Sequence, residues 1–250
     1  MFYQLFKYLL FVPVFRLVCR PWTKGHENVP RAGGGLLVSN HISWGDTIIL
    51  PVMLRRRVTF PAKAELFNGT SPGARLVGWF LKQAGILPID RGGGKASSEA
   101  LTAMTDIVKS GTLLAMYPEG TRSPDGRLYK GKTGAARVAL ETGCPVIPVG
   151  MSNTEVIKGR GLPRMDRPGV LIGKPVDLSR FRGRPIDAGV LRDATDAIMA
   201  DIQKLTGQEY VDLYGAVVKS GSYAGDVDAK VLPHPGWKAP VEAGDDSEQR

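Results

Sequence analysis

The sequence predicts an α/β fold: a single domain whose mixed, largely parallel sheet is flanked by helices, preceded by an N-terminal amphipathic membrane-associating segment. Four short apolar runs bounded by turn residues read as buried strands, and helix-length segments with apolar residues at 3.6 spacing lie between them. A chain of 250 residues that is 43% apolar has material for a sizeable core. The expected boundaries are 1–22 for the interfacial segment, 23–219 for the domain and 220–250 for a tail.

In the N-terminal segment, Phe2, Leu5, Phe6 and Leu9 recur at helical spacing, while Gln4 and Lys7 fall on the other side. The uncharged run from Tyr8 to Phe15 is much shorter than the roughly 20 residues of a spanning helix, and Pro13 interrupts it. The segment is expected to lie in a membrane surface, the alternative being a helix packed on the domain's own core. No small-residue cleavage site follows, so it does not read as a cleaved signal peptide.

Strands are expected at GLLVSN (35–40), ILPID (86–90), TLLAMYP (112–118) and PVIPVG (145–150). VTFPAK (58–63) and VLIGKPV (170–176) are weaker, because Pro or Gly interrupts them. One helix is expected from Ser97, with Leu101, Met104 and Val108 on one face and Gly111 as its stop, and another from about Thr133 to Gly143. A long C-terminal helix is marked by Leu191, Ala194, Ile198, Ile202 and Leu205. Beyond Ser220 the chain is rich in Gly, Pro and acids without an apolar period, which predicts a mostly disordered tail.

Thirty-three Lys and Arg residues against 24 Asp and Glu leave a formal charge of +9. That balance suits a partner carrying phosphate, or a merely soluble basic surface. Arg55, Arg56, Arg57 and Lys63, near the apolar N-terminal segment, suit an anionic lipid surface. Nucleic acid is disfavoured, since that stretch lacks interleaved stacking aromatics and no helix-turn-helix or RNA-binding signature appears. Cys19 and Cys144 stand far apart without C-x-x-C spacing, which fits a reducing compartment. His26 and His234 have no partners at ligand spacing, and no metal is expected.

In open α/β sheets, ligands gather beyond the carboxyl ends of parallel strands. His41 follows the first strong strand, Asp90 and Arg91 follow the second, and Glu119, Gly120, Thr121 and Arg122 follow the third. An imidazole suits general base work near neutrality, and Asp46 is its candidate partner. Five residues on a continuous helix would point the two roughly 140° apart, so pairing requires His41 in the turn and Asp46 in the first helical turn behind it. Ser43 is the expected N-cap. The alternatives are a plain capping-box acid and a hydrogen-bonded turn histidine. No G-x-S-x-G elbow appears and Cys144 lies in a buried-looking run, so the base is expected to act on a substrate hydroxyl, with direct transfer of a group onto it. Arg91 and Arg122 are candidate phosphate forks, with Gly120 and Gly92–Gly94 letting amides approach; alternatively, Arg122 pairs with Glu119.

NHISWGD (40–46), GILPIDR (85–91), YPEGTRS (117–123) and VIPVG (146–150), in this order and spacing, resemble the four blocks of the glycerolipid acyltransferases, the 1-acylglycerol-3-phosphate acyltransferase family. The resemblance spans about residues 25–180. It implies His41 as general base oriented by Asp46, and Glu119, Gly120, Thr121 and Arg122 binding the acceptor's phosphate with Arg91 assisting. It further implies an acyl-CoA or acyl carrier protein thioester as donor and co-substrate, with no metal or bound cofactor. The expected acceptor is 1-acylglycerol 3-phosphate, with glycerol 3-phosphate or another lysophospholipid as the same-class alternative. The expected location is the cytoplasmic face of a membrane, with the anionic surface itself as a partner.

GRLYKGKT (126–133) also fits the phosphate-loop pattern G-x-x-x-x-G-K-[ST]. Glu119 to Asp125 intervene between the preceding strand and the pattern, and SPDG (123–126) reads as a turn, so nucleotide hydrolysis is disfavoured. Arg127, Lys130 and Lys132 are instead expected to form a basic loop beside the acceptor site, or else a solvated charged face.

Overall fold

A computed structural model of the chain describes residues 7–71, 73–75, 78–79, 81, 85–89, 94–157 and 164–238. Phe2, Leu5, Phe6, Asp90 and Arg91 lie outside the described residues, as does the side chain of Lys63. Six strands form the main sheet, in the order β1 (Trp22–Lys24), β9 (Gly169–Ile172), β8 (Val146–Ser152), β2 (Gly35–Ser39), β6 (Leu113–Met116) and β3 (Val58–Thr59). Every neighbour pair is parallel except β8 and β9. All five residues of β2 are buried, as expected of a central strand covered on both faces, and this is why it reads as an unbroken apolar run.

Side-chain alternation along the strands divides the interior into two cores. Leu36, Val38 and Leu114 face α3 (Gly94–Lys109), α4 (Gly134–Thr142) and α5 (Ala188–Thr206), meeting Met104, Val138 and Ile198. Leu37, Ala115 and Val149 point the other way, toward Ile49 and Leu50 of α2 (Asp46–Met53). Helix α5 is the long C-terminal helix read from its apolar period, capped by Asp187 at one end and by Gly207 at φ 67° at the other.

The N-terminal segment is a π-helical turn over Lys7–Phe11 running into α1 (Val12–Val18). Pro13 has no N–H to give to the preceding turn, and the π-helical stretch stands where that bond is missing. Phe15 and Cys19 pack on the second core, and the buried Lys7 ammonium donates to the Leu54 carbonyl. Burial pushes that amine down to about 8. The other side carries Leu9 at 72% and Leu17 at 83% exposure. Among the described residues no helix is long and apolar enough to cross a membrane.

Several expectations need correction. ILPID does not join the main sheet: β5 (Leu87–Ile89) pairs with β4 (Pro61–Lys63) in a separate two-stranded piece. VTFPAK breaks at Phe60, sending β3 and β4 into different sheets, because Pro61 lacks the N–H that would continue a ladder. Helix α3 begins at Gly94 rather than Ser97. The expected boundary at 22/23 falls inside β1, which is part of the main sheet.

The predicted disordered tail is folded onto the domain as far as residue 238, while residues 239–250 lie outside the described ones. Strand β11 (Val231–Leu232) pairs with β10 (Tyr210–Val211), which pairs with β7 (Leu128–Tyr129). Asp228 accepts from Arg127 at 2.6 Å, and the Gln203 amide donates to the Pro233 carbonyl at 3.2 Å. Composition misleads here because two-residue strands and turns are held by hydrogen bonds to distant segments and need no apolar period of their own.

Candidate functional site

Strands β2 and β6 are parallel neighbours, so their carboxyl ends open at one edge of the sheet and bring two turns together. In the first turn, His41 Nδ1 lies 2.8 Å from an Asp46 carboxylate oxygen. That oxygen also accepts from the Ile42 N–H at 2.8 Å and the Ser43 N–H at 2.9 Å, while the Thr154 hydroxyl donates to the other. Asp46 is fully buried, a costly place for a charge, and these four donors offset the cost. A carboxylate on Nδ1 selects the tautomer with its proton there and leaves Nε2 as the imidazole's acceptor.

The five-residue spacing works as the sequence geometry requires: His41 sits in the turn and Asp46 opens α2. The cap differs, however. Gly45 occupies that position, while Ser43 Oγ accepts from the Gly45 N–H at 2.9 Å and donates to the Thr154 carbonyl at 2.5 Å. A Cβ on Gly45 would stand 2.2 Å from the Thr154 carbonyl oxygen, so the turn closes only with glycine there.

The second turn grips the first. Glu119 Oε1 accepts from the His41 N–H at 2.9 Å, Glu119 Oε2 accepts from the Tyr129 N–H at 3.0 Å, and the Ser123 N–H donates to the His41 carbonyl at 2.7 Å. The Tyr117 ring stacks on the imidazole, centroids 3.9 Å apart and planes 14° from parallel. Glu119 therefore corrects the sequence reading. It is 1% exposed with both oxygens engaged by backbone amides, so it positions His41 rather than meeting a phosphate, and it makes no pair with Arg122. Burial pushes its carboxyl up to about 8.

A cleft of about 820 Å³ opens beside these turns. His41, Thr121, Arg122 and Lys132 line its polar part, and Leu101, Met104, Met116 and Ala135 an apolar flank. Gly120, at φ 70°, also lines it; the Lys132 stem would stand 3.0 Å from a Cβ there. Lys130 does not belong to this group, because its ammonium pairs with Asp212 at 2.9 Å. Arg127 likewise turns to Asp125 and Asp228. Of the expected basic loop, Lys132 alone among the described residues lines the cleft. Lys63 has its backbone in β4, and Arg91 lies outside the described residues. The phosphate-loop match dissolves: β7 occupies Leu128–Tyr129 inside it, leaving no continuous loop to cradle a phosphate before α4. Among the described residues no three His, Cys, Asp or Glu side chains gather as metal ligands would.

Tyr117 and Thr154 are not singled out by the sequence. Thr154 follows β8, which runs on through Ser152 past Gly150, the expected end of the strand, and so stands just beyond a strand's carboxyl end as the other site residues do. Tyr117 carried no signal of its own.

A family model described as Acyltransferase matches residues 21–152, a span containing His41, Asp46 and the Glu119–Arg122 turn. The chain is 33% identical over 157 residues to the chloroplastic 1-acyl-sn-glycerol-3-phosphate acyltransferase of Brassica napus, covering 61% of this chain and 44% of that protein. It is 29% identical over 160 residues to the 1-acyl-sn-glycerol-3-phosphate acyltransferase of Bacillus subtilis, covering 64% of this chain and 75% of that one. It thus spans less than half the length of the plant relative. The crystal structure of a 1-acyl-sn-glycerophosphate acyltransferase from Thermotoga maritima superposes with a TM-score of 0.55 at 22% identity, covering 82% of this chain and 87% of that one, a likeness of fold.

Proposed function

Because the chain belongs to the acyltransferase family, whose model matches more than half of it, we propose that it moves a fatty acyl chain from a thioester to the hydroxyl of 1-acylglycerol 3-phosphate. The observation that carries the reading is the His41–Asp46 pair, 2.8 Å apart, on a cleft that also receives Arg122 and Lys132. Relatives named for this acceptor support it. The donor is an acyl chain on coenzyme A or acyl carrier protein, a co-substrate, and the reaction as written needs no metal or bound cofactor.

In the first step His41 Nε2 takes the acceptor's hydroxyl proton while the oxygen attacks the thioester carbonyl. The Asp46 carboxylate holds the ring and offsets the charge of the imidazolium. Collapse of the tetrahedral adduct expels the thiolate, which takes the proton back from Nε2. A new ester and a free thiol leave, and the imidazole is neutral again. Arg122 and Lys132, with the Gly120–Thr121 backbone, hold the acceptor's phosphate, and the apolar flank at Leu101 and Met104 receives hydrocarbon. Arg91 completes the phosphate site in this reading.

Purified protein given an acyl thioester should acylate lysophosphatidate, and His41→Ala should lower kcat by about a hundred- to ten-thousandfold without unfolding the chain. Unchanged turnover in that variant would remove the base assignment. Glycerol 3-phosphate and other lysophospholipids, offered in parallel with both donor types, decide between the same-class acceptors.

The enzyme works at the cytoplasmic face of a membrane in this reading. Leu9, Val14, Leu17 and Val18, exposed along the N-terminal segment, enter the lipid interface, and the two free cysteines suit a reducing compartment. Leu9→Glu with Leu17→Glu should abolish co-sedimentation with anionic vesicles; full retention would refute the anchor.

A further inference from the structure

We infer that Lys219, on the C-terminal helix α6 (Gly215–Lys219), is a specificity-determining residue of the acceptor site, a further cation that makes it prefer a phosphomonoester head to a phosphodiester one. The inference rests on the acyl-transfer reading for its substrate, but it concerns a part of the chain that the matched family model, ending at residue 152, does not reach.

The chain after α5 is stitched to the loop that follows Arg122. The Leu128 N–H donates to the Glu209 carbonyl at 2.9 Å and the Lys130 N–H to the Leu213 carbonyl at 3.0 Å. The Lys130–Asp212 ion pair locks the same two segments. Helix α6 then starts at Gly215, where a Cβ would stand 3.3 Å from the Tyr129 ring and 3.5 Å from the Thr121 methyl. The helix therefore rests directly on the turn that carries Arg122. Ala216 and Lys219, three residues apart, share a helix face, and both line the cleft with His41, Thr121 and Arg122.

Charge says what this wall would bind. Arg122, Lys132 and Lys219 line the cleft, and no Asp or Glu does so among the described residues. Arg127 and Lys130 nearby are neutralised by Asp125, Asp228 and Asp212, whereas none of the three cleft cations pairs with a described carboxylate. A phosphomonoester carries about −1.5 to −2 near pH 7 and meets most of that charge. A phosphodiester, with a single charge, leaves more of the cleft's positive charge without compensation.

The test uses the full chain with Lys219→Ala and Lys219→Arg, and Lys204→Ala on the exposed side of α5 as a control. For Lys219→Ala, the KM for lysophosphatidate should rise about tenfold with kcat within twofold and the donor's KM unmoved, and Lys219→Arg should restore it. Calorimetric titration with glycerol 3-phosphate and glycerophosphoglycerol reads the same preference without turnover. The wild type should favour the monoester, and Lys219→Ala should lose about tenfold of that ratio. An unchanged ratio, or a rise in the donor's KM in place of the acceptor's, would overturn the inference. If the wild type transfers no acyl chain, the acyl-transfer reading falls while the ratio still decides the role of Lys219.

Discussion

The turns after β2 and β6 stand side by side and are built in opposite ways. The polar groups of the first are spent on the protein: Asp46 takes four donors, Ser43 bridges Gly45 and Thr154, and the His41 backbone is held at both its N–H and its carbonyl. In the second, Glu119 is spent inward while Arg122 lines the cleft without an acidic partner among the described residues. The difference separates two tasks. A base must be held in one orientation, so its surroundings saturate each other; an anion site must keep its charge free for the ligand. Glu119 joins the two by fastening the backbone of the base to the turn that presents the cations.

The largest expected effect follows from disturbing the saturated turn. Asp46→Asn keeps the volume but loses the carboxylate on Nδ1, and kcat should fall by about a hundred- to ten-thousandfold with a lower thermal midpoint, because the Ile42 and Ser43 amides share the oxygen that is changed. Activity and stability should move together. A variant as stable and as active as the wild type would show that the pair is ornamental.

The open turn should answer differently. Arg122→Ala is expected to raise the acceptor's KM by about ten- to a hundredfold, with little change in the midpoint, since no internal ion pair depends on it among the described residues. A loss of stability comparable to that of Asp46→Asn would erase the distinction between the turns.

The smallest effect concerns the link. The folded chain holds the Glu119 proton up to about 8, whereas the unfolded chain releases it in the ordinary carboxylate range. Folding takes up that proton between these limits, so stability falls as pH rises from the ordinary range through about 8. Urea midpoints between pH 5 and 8.5 should therefore decline more in the wild type than in Glu119→Gln, by about 1 M, as about three pH units at about 1.4 kcal/mol each require at a slope of about 3 kcal/mol per molar. Parallel profiles would count against the buried carboxyl as the source.

Much of the fold was legible because its signals are local. The alternation in α5 and the unbroken run of β2 follow from burial on one face and on two, and both are visible within a dozen residues. The His41–Asp46 pair was legible for a related reason: five residues bridging a turn and a helix start leave few geometries in which the two can meet. The separate β4–β5 piece, the folded stretch up to residue 238 and the escape of Lys130 to Asp212 were not legible, since each depends on partners far off in the chain.

Residue order alone was sufficient for the α/β class, the histidine–aspartate pair and the family, because backbone sterics and side-chain chemistry act over short spans. Folding in three dimensions assigned Glu119 to the backbone of His41, set Thr154 behind Asp46 and brought α6 to the cleft. Those contacts join positions 78, 108 and more residues apart, and the partner of a buried donor or an unpaired cation is decided only when the sheet brings distant strand ends to one edge.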